Sequence, residues 1–207
     1  MNKRLLPGRL GNPGSTFLTD PRADQRIVAM LEAGGDLGDD VDPVSLDSSY
    51  QECLDYCNAL EASAAKMHPL MESIMPSYDN VISSTETIKG VDGNDIKLYI
   101  HKPKNQDGPR PCIVHTHGGG MVLMTAADPG YERWRNDIAN AGLVVVGVEF
   151  RNGGGSLGDH PFPAGLNDCA SALKWTHEQR EALNISSIVL SGESGGGNLS
   201  LATTLKA

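Results

Sequence analysis

Hydrophobic and polar positions follow two different periods along this chain. Over residues 21–34 and 46–75, apolar residues recur every three or four positions, which predicts helices. We expect the second helical stretch to break near His68-Pro69, because proline cannot donate the helical hydrogen bond. Residues 1–20 are rich in glycine, proline and polar side chains, and they predict a flexible arm.

After residue 77 the pattern changes to short apolar segments that are typical of strands. Two strands are predicted over residues 81–88 and 96–101, with a turn at 91–94 between them. Further strands are predicted over 110–117, 143–150 and 187–190, and helices over 131–141, 163–183 and 198–206. Two hairpin-like strands followed by alternating strand and helix predict a mixed, mostly parallel α/β sheet flanked by helices.

Composition refines this picture mainly by exclusion. The 207 residues are 39% hydrophobic and 21% charged, as in soluble globular proteins. The formal net charge of −9 argues against a nucleic-acid partner, since phosphate binding needs a basic patch. No apolar stretch is long enough for a membrane-spanning helix, and none follows Lys3 and Arg4 as in a secretory signal. With its four cysteines interpreted as reduced, the protein is expected in the cytoplasm.

The strongest candidate for chemistry is a serine between a predicted strand and a predicted helix. Ser194 lies in Gly192-Glu193-Ser194-Gly195-Gly196, a G-x-S-x-G sequence in the context of a nucleophile elbow. Such a serine occupies a strained turn, and the flanking glycines leave room where side chains would clash. The following helix N-terminus favours developing negative charge. Ser194 is therefore the predicted nucleophile, and Glu193 is expected to make a local hydrogen bond.

A glycine-rich loop, His117-Gly118-Gly119-Gly120, follows the third predicted strand directly. Glycines there let backbone N–H groups turn towards the oxyanion of a tetrahedral intermediate. Losing one such donor typically costs about two to three orders of magnitude in rate. In lipases and esterases this loop acts together with the N–H of the residue after the serine. Two independent motifs in their required places predict serine acyl-hydrolase chemistry.

These two motifs carry a resemblance to a known family. HGGG at 117–120 with GESGGGN at 192–198 resembles the hormone-sensitive-lipase-like carboxylesterase branch of the α/β-hydrolases. Shorter matches at residues 150–152, 160–163 and 168–169 are similar to the brefeldin A esterase group of that branch. The resemblance implies an α/β-hydrolase fold, with an N-terminal arm and helical cap segment over residues 1–76 and a partial catalytic domain over residues 77–207.

The resemblance also implies roles for the residues of the glycine-rich loop. The oxyanion hole would consist of the backbone N–H groups of Gly119, Gly120 and Gly195. His117 and Gly118 would support the loop, and His117 would not be the catalytic base. By the same resemblance the protein is a carboxylic ester hydrolase that acts on a small-molecule ester.

The resemblance further implies that three residues next to the two motifs would line the substrate pocket: Met121, Val122 and Glu193. Met67, Met71 and Met75 recur every four residues, and they either pack in the core or line an apolar pocket. Neither a metal nor an organic cofactor is expected, because this mechanism needs only side chains and backbone amides. No oligomeric state follows from these features.

The catalytic triad of that branch is incomplete in this sequence. In the family the serine is followed by an acid and then by a histidine, whereas no Asp, Glu or His follows Ser194. A serine hydroxyl needs a neighbouring base to be a competent nucleophile at neutral pH. We therefore expect a truncated chain that lacks the C-terminal part of the fold and is inactive by itself. The alternative hypothesis is a catalytically inactive ligand-binding or remnant protein.

Other polar residues are better interpreted as structural. His115 is expected to pack in the sheet, His177 to lie on the surface and Asp168 to make structural contacts. His160, in the loop before Pro161, is a weaker candidate for a substitute base. The glycines at 153–155 do not form a phosphate-binding loop, because the Gly-Lys-Ser/Thr sequence of such loops is missing.

Overall fold

The computed structural model describes residue 16, residues 18–34 and residues 44–207. The chain divides into two compact units, residues 1–40 and residues 41–207. In the first unit, helix α1 spans Gln25–Gly34, where the sequence predicts the first helix. Most of the predicted arm lies outside the described residues. The domain boundary expected between residues 76 and 77 stays a prediction.

Two helices precede the sheet in the second unit, α2 over Tyr50–Ala65 and α3 over His68–Ser73. A capping box begins α2: the Ser49 hydroxyl accepts the Glu52 N–H, and the Glu52 carboxylate accepts the Ser49 N–H. Pro69 lies in the first turn of α3, where a backbone N–H has no helical acceptor and proline is tolerated. The predicted break near this proline is confirmed.

Five strands form one mixed sheet: β1 (Val81–Lys89), β2 (Asp95–Pro103), β3 (Arg110–Thr116), β4 (Val144–Glu149) and β5 (Ile185–Gly192). Their order across the sheet is β1-β2-β4-β3-β5. The β1–β2 and β2–β4 pairs are antiparallel, whereas β3 pairs in parallel with both β4 and β5. The predicted mixed sheet, with an antiparallel start and a parallel later part, is confirmed.

Helices cover both faces of this sheet: α4 (Pro129–Asn140), α5 (Ala164–Glu178) and α6 (Gly195–Lys206). The apolar core lies where alternate residues of β2, β3 and β4 meet Cys169 and Ala172 of α5 and Leu199 of α6. On the opposite face α4 packs against β2 and β4. Within the part of the chain that the structure describes, no helix is long and apolar enough to cross a membrane.

Strand β4 is the most deeply buried element of the sheet. Val144, Val145, Val146 and Val148 have no exposed surface, which confirms the prediction that this apolar run is covered on both faces. Because β3 and β4 are central and parallel, the segments that follow them leave the sheet at the same edge as the segment after β5. This arrangement brings the glycine-rich loop and the serine turn together.

Three predicted boundaries are wrong near the end of the chain. Strand β5 begins at Ile185 and not at residue 187, α5 ends at Glu178 and not at residue 183, and α6 begins at Gly195 and not at residue 198. Glycine has low helix propensity, so the three glycines at 195–197 predicted a turn. Their close packing against neighbouring backbone overrides that propensity, and the helix starts immediately after Ser194.

Candidate active site

Ser194 lies on the turn between β5 and α6. Its backbone has φ 51° and ψ −119°, a region that costs a residue with a side chain about 1–3 kcal/mol. Ser194 occupies the N-cap position of α6, yet its hydroxyl makes no capping hydrogen bond. The side chain is also exposed. The hydroxyl is therefore presented outward and is not used to stabilise the helix.

The turn that carries Ser194 lies directly against the glycine-rich loop. A Cβ atom built on Gly195 would be 2.8 Å from the Cα of Gly120 and 2.8 Å from the backbone nitrogen of Met121. These neighbours are backbone atoms, so no rotation of a side chain could make room. The structure thus brings together the two motifs that sequence reasoning singled out.

The glycine-rich loop closes in a tight turn after His117. The carbonyl of Gly119 accepts the N–H groups of Val122 and Leu123, each at 3.1 Å. Gly119 has φ +94°, and a Cβ there would lie 2.0 Å from the Leu123 carbonyl oxygen. Glycine is therefore required at this position both for backbone conformation and for space.

The backbone N–H groups at this turn differ in whether they have a hydrogen-bond acceptor within the protein. The N–H of Gly118 donates to the Tyr131 hydroxyl at 3.0 Å. By contrast, the N–H groups of Gly119, Gly120 and Gly195 have no acceptor among the described residues. These three are the donors that the sequence predicts for an oxyanion hole. These N–H groups are therefore available to donate hydrogen bonds to a bound ligand.

His117 lies buried below the loop. Its ring stacks on Phe150 with centroids 4.1 Å apart, and Nδ1 lies 2.8 Å from the Gly118 carbonyl oxygen. A carbonyl can only accept, so Nδ1 carries the proton and donates it to this bond. Burial lowers the pKa of His117 to about 4, which leaves the ring neutral at pH 7. A neutral, fully packed imidazole of this kind suits support of the loop better than proton transfer.

The remaining predicted histidine environments agree with the structure. His115 is 4% exposed and stacks on Trp134 with ring centroids 4.1 Å apart, so the expectation of a packed histidine is confirmed. His177 is exposed on α5, also as expected. His160 is exposed in the loop before α5, and only its backbone N–H bonds, to the Asn152 carbonyl at 2.9 Å.

The residues expected to line a pocket follow the glycine-rich loop. Met121 and Val122 are each 38% exposed beside the turn. The Met121 carbonyl accepts the N–H of Gly153 at 2.8 Å, which connects Met121 to the segment after β4. Met71, one of the three spaced methionines, lies close to Gly130 at the start of α4.

Glu193 immediately precedes Ser194 and lies near Tyr131. Its side chain is exposed, and its carboxylate interacts with the hydroxyl of Tyr131 on α4. Burial, together with this carboxylate, raises the pKa of Tyr131 well above its usual value. The expectation that Glu193 makes a local hydrogen bond stays a prediction. Glu193 and Gly118 meet the same hydroxyl group.

Sequence reasoning missed the side chains that bind Met124, four residues after the glycine-rich loop. The Glu61 carboxylate accepts the N–H of Met124 at 2.6 Å, and the Asn152 amide donates to the Met124 carbonyl at 2.8 Å. Asn152 is fully buried. The triplet at 150–152 drew attention to Asn152 without a role, whereas Glu61 comes from α2 and carries no local signal.

A buried polar cluster under α4 fixes the chain just after the loop. The Ala126 N–H donates to the Glu149 carboxylate at 2.7 Å, and its carbonyl accepts from the Arg135 guanidinium at 2.6 Å. The Tyr99 hydroxyl donates to Glu149 at 3.0 Å. Burial raises the pKa of Glu149 and lowers that of Arg135 to about 10. The acidic and the basic side chain thus bind the N–H and the C=O of the same residue, Ala126, and hold its backbone in place.

Asp168 is structural, as the sequence predicts. Its buried carboxylate accepts from the Arg151 side chain at 2.8 and 2.9 Å and from the Asn94 amide at 3.0 Å. All four cysteines are free thiols. In the described ranges, no group of three or more His, Cys, Asp or Glu residues is placed to hold a metal ion.

Comparison with known proteins agrees with this geometry. A family model for the α/β-hydrolase fold matches residues 113–207. The solved structure of brefeldin A esterase, a bacterial homologue of human hormone-sensitive lipase, has 43% sequence identity and a TM-score of 0.82; the match covers 97% of this chain and 56% of that one. Carboxylesterase NlhH of Mycobacterium tuberculosis is 30% identical over 168 residues, 78% of this chain and 50% of its own length.

A plant relative extends the comparison. Chloroplastic tuliposide A-converting enzyme 2 of Tulipa gesneriana is 28% identical over 149 residues, which is 65% of this chain and 37% of the plant protein. The chain spans between 37% and 56% of the length of these relatives. The matching segments include the glycine-rich loop, the serine turn and the strands that bear them. This chain has the α/β-hydrolase fold and is similar to the carboxylesterases of its hormone-sensitive-lipase-like branch.

Proposed function

We propose that this protein is a carboxylic ester hydrolase with Ser194 as its nucleophile. One observation carries the proposal: the outward hydroxyl of Ser194 sits on a strained turn that abuts a loop with unused backbone N–H groups. A hydroxyl next to free donors suits attack on an ester carbonyl, since the negative charge that develops on the carbonyl oxygen needs such donors.

The proposed reaction has two stages. The Ser194 oxygen attacks the ester carbonyl, its proton passes to a base, and the N–H groups of Gly119, Gly120 and Gly195 bind the resulting oxyanion. Collapse of this intermediate expels the alcohol, which takes up the proton, and leaves an acyl-serine. Water then attacks the acyl-serine by the same route and releases the carboxylic acid. His117 and Gly118 support the loop, and Met121, Val122 and Glu193 border the ester.

The base is not evident in this chain. In the described residues the Ser194 hydroxyl makes no hydrogen bond to a histidine or acid. His115 and His117 are buried with pKa values of about 4, and no Asp, Glu or His follows Ser194 in the sequence. We propose that the 207 residues alone turn over esters negligibly. The same observation favours the second candidate function, an inactive protein that binds ligands in the pocket.

We propose a small-molecule ester as the substrate class. The names of two relatives refer to brefeldin A and tuliposide A, which are small molecules. A bordering pair of apolar side chains, Met121 and Val122, fits an acyl or alcohol group of modest size. The cytoplasmic location stays a prediction, and the name of the tulip relative describes a chloroplastic protein.

The test is hydrolysis of p-nitrophenyl acetate and butyrate by the full-length protein and its Ser194→Ala variant. We expect the substitution to abolish turnover while the thermal unfolding midpoint stays close to that of the wild type. Undiminished hydrolysis by the variant would refute the proposal. A fluorophosphonate probe separates the two candidate functions: labelling of Ser194 supports the hydrolase, and a folded protein that stays unlabelled supports the ligand-binding alternative.

A further inference from the structure

Glu61 joins three segments of the fold through one carboxylate. Its Oε1 accepts the N–H of Met124, and its Oε2 accepts the N–H of Ser156, each at 2.6 Å. Met124 lies four residues after the glycine-rich loop, Ser156 lies in the segment after β4, and Glu61 itself belongs to α2. The two amides are separated by 32 positions of sequence, so their common acceptor is a feature of tertiary structure.

Two further contacts align α2 with the segment after β4. The side chain of Cys57, one helical turn before Glu61, lies against Gly154: a Cβ there would be 3.4 Å from its sulfur. The Tyr50 hydroxyl at the start of the helix donates to the Asp159 carboxylate. Because α2 contacts this segment along most of its length, the position of Glu61 is fixed independently of the glycine-rich loop.

A shift of Met124 would reach the oxyanion donors through a short, rigid path. The turn from Gly119 to Leu123 is closed by two hydrogen bonds to the Gly119 carbonyl, and Met124 follows it at once with φ +72°. Such a left-handed conformation persists only where the surroundings enforce it. The Glu61 carboxylate and the Asn152 amide bind the two sides of this residue.

We propose that Glu61 is a positioning residue for the oxyanion donors, so that α2 contributes to catalysis without touching the ester. This inference rests on the proposed hydrolase function. A carboxylate suits the role because both of its oxygens accept, and charge-assisted bonds to N–H groups are stronger than neutral ones. A glutamine in its place keeps one acceptor but turns an NH₂ group towards the other backbone N–H.

The experiment compares Glu61→Ala, Glu61→Gln and Asp55→Asn in the full-length protein. Asp55 lies on the same helix, is exposed and, among the described residues, hydrogen-bonds only to Gln51 through its side chain, so it is a matched control for loss of a carboxylate. Hydrolysis of p-nitrophenyl acetate is measured well below the unfolding midpoint of every variant. Hydrogen exchange is followed in peptides that cover residues 118–126 and 153–160.

We expect Glu61→Ala to lower kcat by at least about tenfold with little change in KM, because the ester is bound but the donors are misplaced. Glu61→Gln should lie between wild type and Glu61→Ala, and Asp55→Asn should stay within about twofold of wild type. Exchange should accelerate in both peptides of Glu61→Ala. A lower unfolding midpoint with unchanged kcat would overturn the proposal and leave Glu61 a structural residue.

The Ser194→Ala variant separates failure of this inference from failure of the proposed function. If Ser194→Ala is inactive and Glu61→Ala keeps full kcat, the positioning role is refuted while the hydrolase proposal stands. If Ser194→Ala hydrolyses the ester as fast as wild type, the hydrolase proposal fails and the positioning role fails with it. In that case faster exchange in Glu61→Ala would report only the structural clamp.

Discussion

The hydroxyl of Tyr131 accepts the backbone N–H of Gly118 at 3.0 Å. This bond removes one amide of the glycine-rich loop from the set that could bind an oxyanion, and it holds the start of the loop to α4. The same hydroxyl donates to the Met124 Sδ at 3.7 Å, and the Glu193 carboxylate, which precedes Ser194, lies close enough to raise the pKa of Tyr131. One buried phenol thus links the loop to the turn that carries the proposed nucleophile.

Removing this hydroxyl should therefore impair turnover more than binding. In the full-length protein we expect Tyr131→Phe to lower kcat for p-nitrophenyl acetate by roughly tenfold, because the glycine-rich loop and the serine turn lose their common neighbour. The unpaired Gly118 N–H should also lower the free energy of unfolding by about 1–3 kcal/mol. Steady-state kinetics and urea unfolding measure the two effects.

Tyr78→Phe is the matched control for Tyr131→Phe. The Tyr78 hydroxyl donates to Asp137 of the same helix at 2.6 Å but has no contact with the loop. We expect its kcat to match that of wild type. Equal kcat values for Tyr131→Phe and wild type would contradict the link between loop and serine turn.

A side chain at Gly195 should separate the two motifs. In Gly195→Ala the new Cβ would lie 2.8 Å from backbone atoms of Gly120 and Met121, so the loop must move. In the full-length protein we expect kcat for p-nitrophenyl acetate to fall by about 100-fold or more, since a displacement of about 1 Å can cost that much. Gly108→Ala is the control, because a Cβ there meets no atom within 4 Å. A Gly195→Ala enzyme with wild-type kcat would show that these donors do not act in the reaction.

The two motifs were predictable from the sequence because each is contiguous and follows an apolar strand. Ser194 can be found from its motif between a strand and a helix, the role of Gly119 follows from the family resemblance of its loop, and the sheet follows from the change of hydrophobic period. Glu61 and Tyr131 could not be found in this way: they reach the loop only when α2 and α4 pack beside it, and neither stands at a motif spacing from its partner. Local patterns encode elements, whereas the supports of a site arise from the packing of distant elements.

Buried histidines should make stability depend on pH. Burial lowers the pKa of His101, His115 and His117 to about 4 each, below the value of about 6.5 expected for an unfolded chain. Between these two pKa values the unfolded state binds more protons than the folded state. The contribution of these histidines to the free energy of unfolding is therefore fully present above about pH 6.5, and it falls as the pH drops towards 4. Glu149, whose pKa is raised by burial, acts in the opposite sense.

We expect His115→Phe to reduce this pH dependence. Both ring nitrogens of His115 are buried and have no hydrogen-bond partner in the described part of the chain, and the ring stacks on Trp134, which phenylalanine can also do. One fewer titrating group should flatten the slope by up to about 1.4 kcal/mol per pH unit. Urea unfolding at pH 7 and pH 5 gives this slope, with exposed His177→Gln as the control. The same slope in His115→Phe as in wild type would show that His115 does not contribute to the pH dependence of stability.

Strand β5 lies at an edge of the sheet and, with α6, exposes a row of large apolar side chains. Val189 is 55% exposed, Leu201 71% and Leu205 89%. An open strand edge beside apolar surface promotes pairing with another chain.

We expect the 207-residue chain, expressed as such, to self-associate, and we expect Leu201→Lys with Leu205→Lys to reduce this. The two lysines point away from the packed face of α6, because both leucines are exposed, so folding should survive. Light scattering coupled to size-exclusion chromatography measures the mass of each form. A monodisperse wild-type monomer with one cooperative thermal transition would contradict the expectation and show that the β5 edge and the exposed face of α6 do not cause self-association.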